Sequence, residues 1–200
     1  MENNMMSSSF DIIRAHLNAG GDLKHQMAAS DDLVQRIYDA SAIMIRALKK
    51  GKKILWCGNG GSAADSQHLS AELVARLNIN RPGLASLALT TDTSLITAWS
   101  NDIGFESLFS RQVEALGDAG DVLMALSTSG KSPNVLQAVK KAREKQITTI
   151  ALLGRDGGVI RNEVDLALVI PSENTQLIQE IHITVGHLLC ELVETKLFKT

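Results

Sequence analysis

Cysteine and proline are scarce in this chain, two and three residues in 200. Two cysteines, Cys57 and Cys190, cannot build the disulfide framework of a small secreted domain. Each sits in an apolar run, where a buried, reduced thiol is the ordinary outcome. With so little proline and 44% hydrophobic residues the chain is neither disordered nor fibrous. An excess of charge is missing as well: 20 basic against 22 acidic residues leave a net charge of -2. That offers no broad positive field to a phosphate backbone, so no direct nucleic-acid ligand is expected. No apolar run reaches the roughly 20 residues of a membrane span. The first nine residues are polar and lack the basic start and apolar stretch of a signal peptide. The expectation is a cytoplasmic protein with no membrane partner.

What is present is periodic apolar patterning. Residues 10–50 carry two helical patterns, one with Ile12, Ile13 and Leu17, the other with Leu33, Ile37, Ile43, Ile45 and Leu48. Ser30 is placed to cap the second, Asp31 and Asp32 suit its positive start, and Lys49, Lys50 and Gly51 suit its end. Five short apolar runs follow, Lys53–Cys57, Ala85–Leu89, Val122–Leu126, Thr148–Leu153 and Leu166–Ile170, separated by helical patterns. Such alternation predicts a doubly wound, flavodoxin- or Rossmann-like α/β fold with a five-stranded parallel sheet over 53–170. A final helix over 175–198 carries an apolar stripe wide enough to predict burial on two sides. Residues 1–200 are read as one domain. The surplus of apolar helical surface before and after the sheet predicts a homo-oligomer built through those helices.

Ligands of open α/β sheets sit beyond the carboxyl ends of the strands. After the first strand comes Gly58-Asn59-Gly60-Gly61-Ser62, where glycines let the backbone approach a ligand. The third strand runs into Ser127-Thr128-Ser129-Gly130-Lys131-Ser132-Pro133, four hydroxyls beside a helix expected to start at Pro133 under a Ser132 cap. This group can surround a phosphate, although it lacks the spacing of a nucleotide-binding P-loop. The third glycine-rich loop, Gly154-Arg155-Asp156-Gly157-Gly158, has no hydroxyl cluster and reads as turn chemistry. A dinucleotide site fits poorly, because the first loop is not G-x-G-x-x-G and Thr90 and Thr91 stand at the end of the second strand, where an acidic residue is expected.

His68 and Glu72 lie four apart on the helix after the first loop and therefore share a face. Such a pair can hold a divalent metal, though it also serves as a plain surface contact. The last helix adds Gln179, Glu180, His182 and His187, polar groups that a buried helix carries only with partners. His16 and His25, in the first helical region, read as surface or interface residues.

Taken together, Cys57-Gly-Asn-Gly-Gly-Ser62, His68-x-x-x-Glu72, Asn101-Asp102, Ser127-Thr-Ser-Gly-Lys-Ser132 and Ile178-Gln-Glu-Ile-His182 with His187 resemble the phosphoheptose isomerases of the sugar-isomerase (SIS) domain family, over essentially the whole chain. The resemblance implies isomerisation of sedoheptulose 7-phosphate to glycero-manno-heptose 7-phosphate, a homotetramer, and zinc as one divalent ion per subunit. It implies His68, Glu72, Gln179 and His187 as metal ligands, with Glu72 and His187 as the catalytic acid/base pair. Asn59, Gly60, Gly61, Ser62, Glu72, Asn101, Asp102, Ser127, Thr128, Ser129, Ser132 and Gln179 are implied as substrate contacts, the serine loop taking the phosphate. Gln176 stands where some members carry an acidic residue, so no role is carried to it. Two rival readings share the fold: the replication-initiator-associating proteins, which lack much of the metal and acid/base set retained here, and SIS-domain enzymes or sensors of hexose phosphates, which need no metal.

Overall fold

The computed structural model describes the backbone of residues 2–199 and the side chains of residues 8–199. In chain order the elements are α1 (Glu2–Ala28), α2 (Asp31–Lys49), β1 (Ile54–Cys57), α3 (Gly61–Val74), β2 (Ser86–Ala88), α4 (Thr93–Asp102), α5 (Leu108–Leu116), β3 (Val122–Ser127), α6 (Pro133–Glu144), β4 (Thr148–Gly154), β5 (Leu166–Ile170) and α7 (Thr175–Phe198). All five expected strands form, each end within one residue of its expected position. They join in one parallel sheet of order β2-β1-β3-β4-β5, the flavodoxin-like arrangement.

Alternation along the strands sends side chains to two separate cores. Ile54 and Trp56 of β1 join Met44, Leu69, Ile181 and Leu189, so α2, α3 and α7 cover one face. Leu55 and Cys57 join Phe109, Val113, Val135 and Ala138, so α5 and α6 cover the other. Both faces being covered, β1 and β3 are buried along their whole length, which is why they read as continuous apolar runs. Cys57 and Cys190 are free buried thiols, and burial pushes both up to about 12.

The Ser30 cap forms, its hydroxyl accepting from the Leu33 N–H at 3.3 Å. One expectation needs correction. Helix α1 starts at Glu2 rather than at Phe10, because residues 2–9 hold neither proline nor glycine to stop it. Within one chain helix α7 buries one broad face: Leu177, Ile181, Val185 and Val193 are in the core, while Leu188 and Leu192 are exposed. One chain supplies only the packing partners beneath it.

Between β1 and β3 the winding reverses, since α3 crosses to one face and α6 to the other. The loops leaving these two strands therefore diverge at the carboxyl edge and open a crevice. A reciprocal amide pair spans it, Asn59 Nδ2 donating to Asn134 Oδ1 and Asn134 Nδ2 to Asn59 Oδ1, both at 2.8 Å.

Candidate active site

The crevice is flanked by two helix starts, and neither carries a side-chain cap. Gly60 stands at the N-cap position of α3 with φ +56°, and the space where a Cβ would project is open. At α6 the expected Ser132 cap does not form, although Pro133 is its first residue as expected. The Val135 N–H donates to the side chain of Asn134 at 3.0 Å, and the Ser132 and Ser127 hydroxyls pair with each other at 2.9 Å. Ser127, Thr128, Ser129 and Ser132 thus surround a positive helix end, and the Ser129 hydroxyl accepts from the Lys131 N–H at 3.2 Å. Gly130 turns this loop at φ +62°, and a Cβ there would lie 2.0 Å from the Gly157 carbonyl oxygen. The loop read as turn chemistry, 154–158, is therefore the seat of the serine loop.

Beside the crevice α3 and α7 run parallel and in register. The side chain of Gln179 lies over Gly61, where a Cβ would stand 2.4 Å from its Nε2. Leu69 lies over Gly186, where a Cβ would stand 2.3 Å from a leucine methyl. Any larger residue at 186 would push the helices apart. This close approach brings His68 Nε2 to 2.8 Å from His187 Nε2, with Glu72 Oε1 at 3.2 Å from His68 Nε2. Ligand atoms of His68, Glu72 and His187 all fall within 4.8 Å of one another, so two imidazoles and a carboxylate converge as a divalent cation requires. His68 is half exposed and Glu72 mostly covered, so the cluster is open on one side.

Asp65, one turn before His68 on the same face of α3, was not anticipated. Burial raises its carboxyl above the ordinary value, partly opposed by the nearby His68 and His187, and its Oδ2 has no hydrogen-bond partner among the described residues. The i, i+3, i+7 spacing of Asp65, His68 and Glu72 was the signal available in the sequence. With His16, Gln176, Gln179, Glu180 and Ile183 it lines a shallow depression. There His16 Nε2 meets Glu180 Oε1 at 2.9 Å, which gives that surface histidine a partner on α7. Asn134 was also unanticipated, and it occupies the amide of Asn59, an expected substrate contact. Asn101 and Asp102 are exposed at the end of α4; the Asn101 amide donates to Asp102 at 2.8 Å, and among the described residues neither bonds to another expected site residue. His182 points into the core instead of the site, fully buried, and among the described residues neither ring nitrogen has a partner in good hydrogen-bond geometry, the Leu153 carbonyl being the backbone group that acts on it. Burial pushes it down to about 4, and the Leu153 carbonyl offsets this only in part.

A doubly wound sheet with uncapped, hydroxyl-lined loops at its switch point and a His-Glu-His cluster alongside defines an α/β protein with an anion-suited crevice beside groups able to hold a metal or exchange protons. Residues 19–154 match the SIS domain family. The phosphoheptose isomerase of Geobacter sulfurreducens is 52% identical over 188 residues, 94% of this chain and 98% of that protein. Among solved structures, phosphoheptose isomerase GmhA from Neisseria gonorrhoeae superposes with a TM-score of 0.87 at 44% identity, covering 92% of this chain and 98% of that one. A phosphoheptose isomerase from Francisella tularensis gives 0.90 at 37% identity, covering 94% and 98%. The chain belongs to the SIS domain family and, within it, to the phosphoheptose isomerases.

Proposed function

We propose that this chain converts D-sedoheptulose 7-phosphate to D-glycero-D-manno-heptose 7-phosphate through an enediol, the first step toward heptose for lipopolysaccharide or another surface glycan. The observation that carries the reading is the His68, Glu72, His187 cluster standing beside a serine loop whose helix start is uncapped. Ketose-to-aldose conversion removes a proton from C1 and returns one to C2, while a proton passes from O1 to O2. Glu72 is the carboxylate suited to the carbon-bound proton, and His187 is the imidazole suited to the oxygens. The serine loop binds the 7-phosphate with neutral donors and a helix dipole, far from the reacting carbons, so orientation comes from binding.

Zinc, one ion per subunit, fits two imidazole nitrogens and a carboxylate oxygen, with the Gln179 amide as a fourth candidate ligand. Bound there, it would polarise the substrate carbonyl and offset the negative charge that develops on its oxygens. A homotetramer is the proposed assembly. Its support is the exposed apolar side chains of Phe10, Ile13 and Leu17 on α1 and of Leu188 and Leu192 on α7, which a partner subunit would cover. The cytoplasm is the proposed location, in keeping with the absence of any helix long and apolar enough to cross a membrane among the described residues.

The test is aldose formation from sedoheptulose 7-phosphate by wild type, Glu72→Gln and His187→Gln, with metal content and assembly measured on the same samples. Loss of about 10³-fold in kcat in each variant is expected for removal of an acid/base group. No turnover by a folded, zinc-loaded wild type would instead indicate a sugar-phosphate-binding regulator.

A further inference from the structure

The expected catalytic groups sit on two helices that touch along their length, so the geometry of the site depends on what fixes the far end of the pair. That end is held by a buried ion pair. Arg81 Nε donates to Glu194 Oε1 at 3.0 Å, and both side chains are 1% exposed. Glu194 lies on α7 about two turns beyond His187, and its carboxylate also accepts the N–H groups of Leu77, Asn78 and Ile79 at 3.1, 2.7 and 3.0 Å. Burial alone would raise this carboxyl; the three N–H groups and the guanidinium outweigh it and hold it below the usual glutamate value. The other edge of the Arg81 fork reaches back to α3. Its Nη2 donates to the carbonyl of Glu72 at 2.9 Å and its Nη1 to the carbonyl of Leu73 at 2.8 Å. These are carbonyls of the last helical turn, which lack partners within the helix. The Phe198 ring lies 5.6 Å from the guanidinium carbon.

We propose that Arg81 and Glu194 are positioning residues for the isomerase site, setting the register of α3 against α7 and seating the turn that carries Glu72. The pair binds the backbone of Glu72 itself and anchors to the helix that carries His187. A slip of one residue between the helices would displace His68 and Glu72 by about 1.5 Å relative to His187, enough to break the 2.8 Å contact between His68 and His187. Only a planar, forked cation can reach two carbonyls and a carboxylate at once, so lysine is not an equivalent at 81. The inference rests on the acid/base and metal role proposed above for Glu72.

The experiment compares wild type with Arg81→Lys, Glu194→Gln and the double variant, reading kcat, KM, zinc affinity by chelator competition, and thermal unfolding. Asp121→Asn, which breaks a buried carboxylate cluster at the opposite edge of the sheet, serves as the stability control. Positioning predicts that kcat falls at least tenfold while KM changes less than threefold, and that zinc is held about tenfold more weakly. The double variant should then be no worse than the poorer single one, because both break one device. The control should lose comparable thermal stability with kcat unchanged. Arg81→Lys and Glu194→Gln enzymes that melt earlier yet keep wild-type kcat and zinc affinity would overturn the proposal and leave only a brace. Should neither variant fold, Phe198→Leu loosens the guanidinium without removing a charge. A two- to fivefold fall in its kcat supports the proposal, and unchanged kcat with unchanged zinc affinity overturns it. A wild type without turnover would sink the isomerase reading, and this inference with it. An active wild type with unaffected variants would sink the positioning role alone.

Discussion

The two edges of the sheet are finished in opposite ways. At the amino edge, carboxylates close the loose backbone. Asp121, fully buried, accepts the N–H groups of Lys53 at 3.0 Å and Asp118 at 2.8 Å and pairs with the Lys53 ammonium at 2.7 Å. Asp165 accepts the N–H and hydroxyl of Thr149 at 2.7 and 2.8 Å. At the carboxyl edge the loops after β1 and β3 end in helix starts with no side-chain cap, and hydroxyls pair with one another. A carboxylate in that place would satisfy the same donors and repel a phosphate. The amino edge uses its polar groups for stability, as the Asp92 and Asn174 caps do after β2 and β5, whereas the loops after β1 and β3 leave N–H donors uncapped. The difference lies in residue type, Asp against Ser and Gly, and in the backbone, since helices start at the carboxyl edge with free N–H groups and end at the amino edge.

The sharpest test of this division is pH. His182, beneath the carboxyl edge, titrates near 4 in place of the ordinary 6.5 because it is buried. The unfolded chain therefore takes up the proton first, and stability present above pH 6.5 is lost as pH falls toward 4. The loss should reach about 3 kcal/mol from this residue. Denaturant unfolding of wild type and His182→Leu across pH 7.5 to 4.5 checks it; parallel curves would show that His182 contributes nothing to the slope.

Next in size is the amino edge. Asp121→Asn leaves a buried N–H without an acceptor, which costs about 2 kcal/mol of stability. Its kcat and KM should match wild type, and a raised KM would mean that the two edges are not independent. The smallest effect is expected from Ser132→Ala. Its hydroxyl makes no helix cap, so the melting temperature should stay within about a degree. KM for the phosphosugar should rise about tenfold, the loss of one hydrogen bond to a charged group. A fall in stability with unchanged KM would reassign the serine loop to structure.

Much of this was readable along the chain. The strand positions, the Ser30 cap, the structural role of 154–158 and the i, i+4 face of His68 and Glu72 follow from patterns a few residues long. Other features escaped for identifiable reasons. The Ser132 cap was expected from residue type, but the Val135 N–H donates to Asn134. His182 shares a helix with Gln179 and His187, and periodicity alone did not show that its ring turns into the core. Asp65 carries the spacing of its neighbours without a motif to mark it.

The sequence by itself determined the alternation of strand and helix, the placement of glycines and hydroxyls after β1 and β3, and the ligand-type residues on α3 and α7. These depend on local periodicity and backbone preference, which act within a few residues. Tertiary structure alone decided that His68 meets His187 across 119 positions of chain and that Glu194 reaches the Leu77 N–H across 117. Those distances are set by how closely two helices pack at Gly186 and what ties their ends, and no local pattern contains that information.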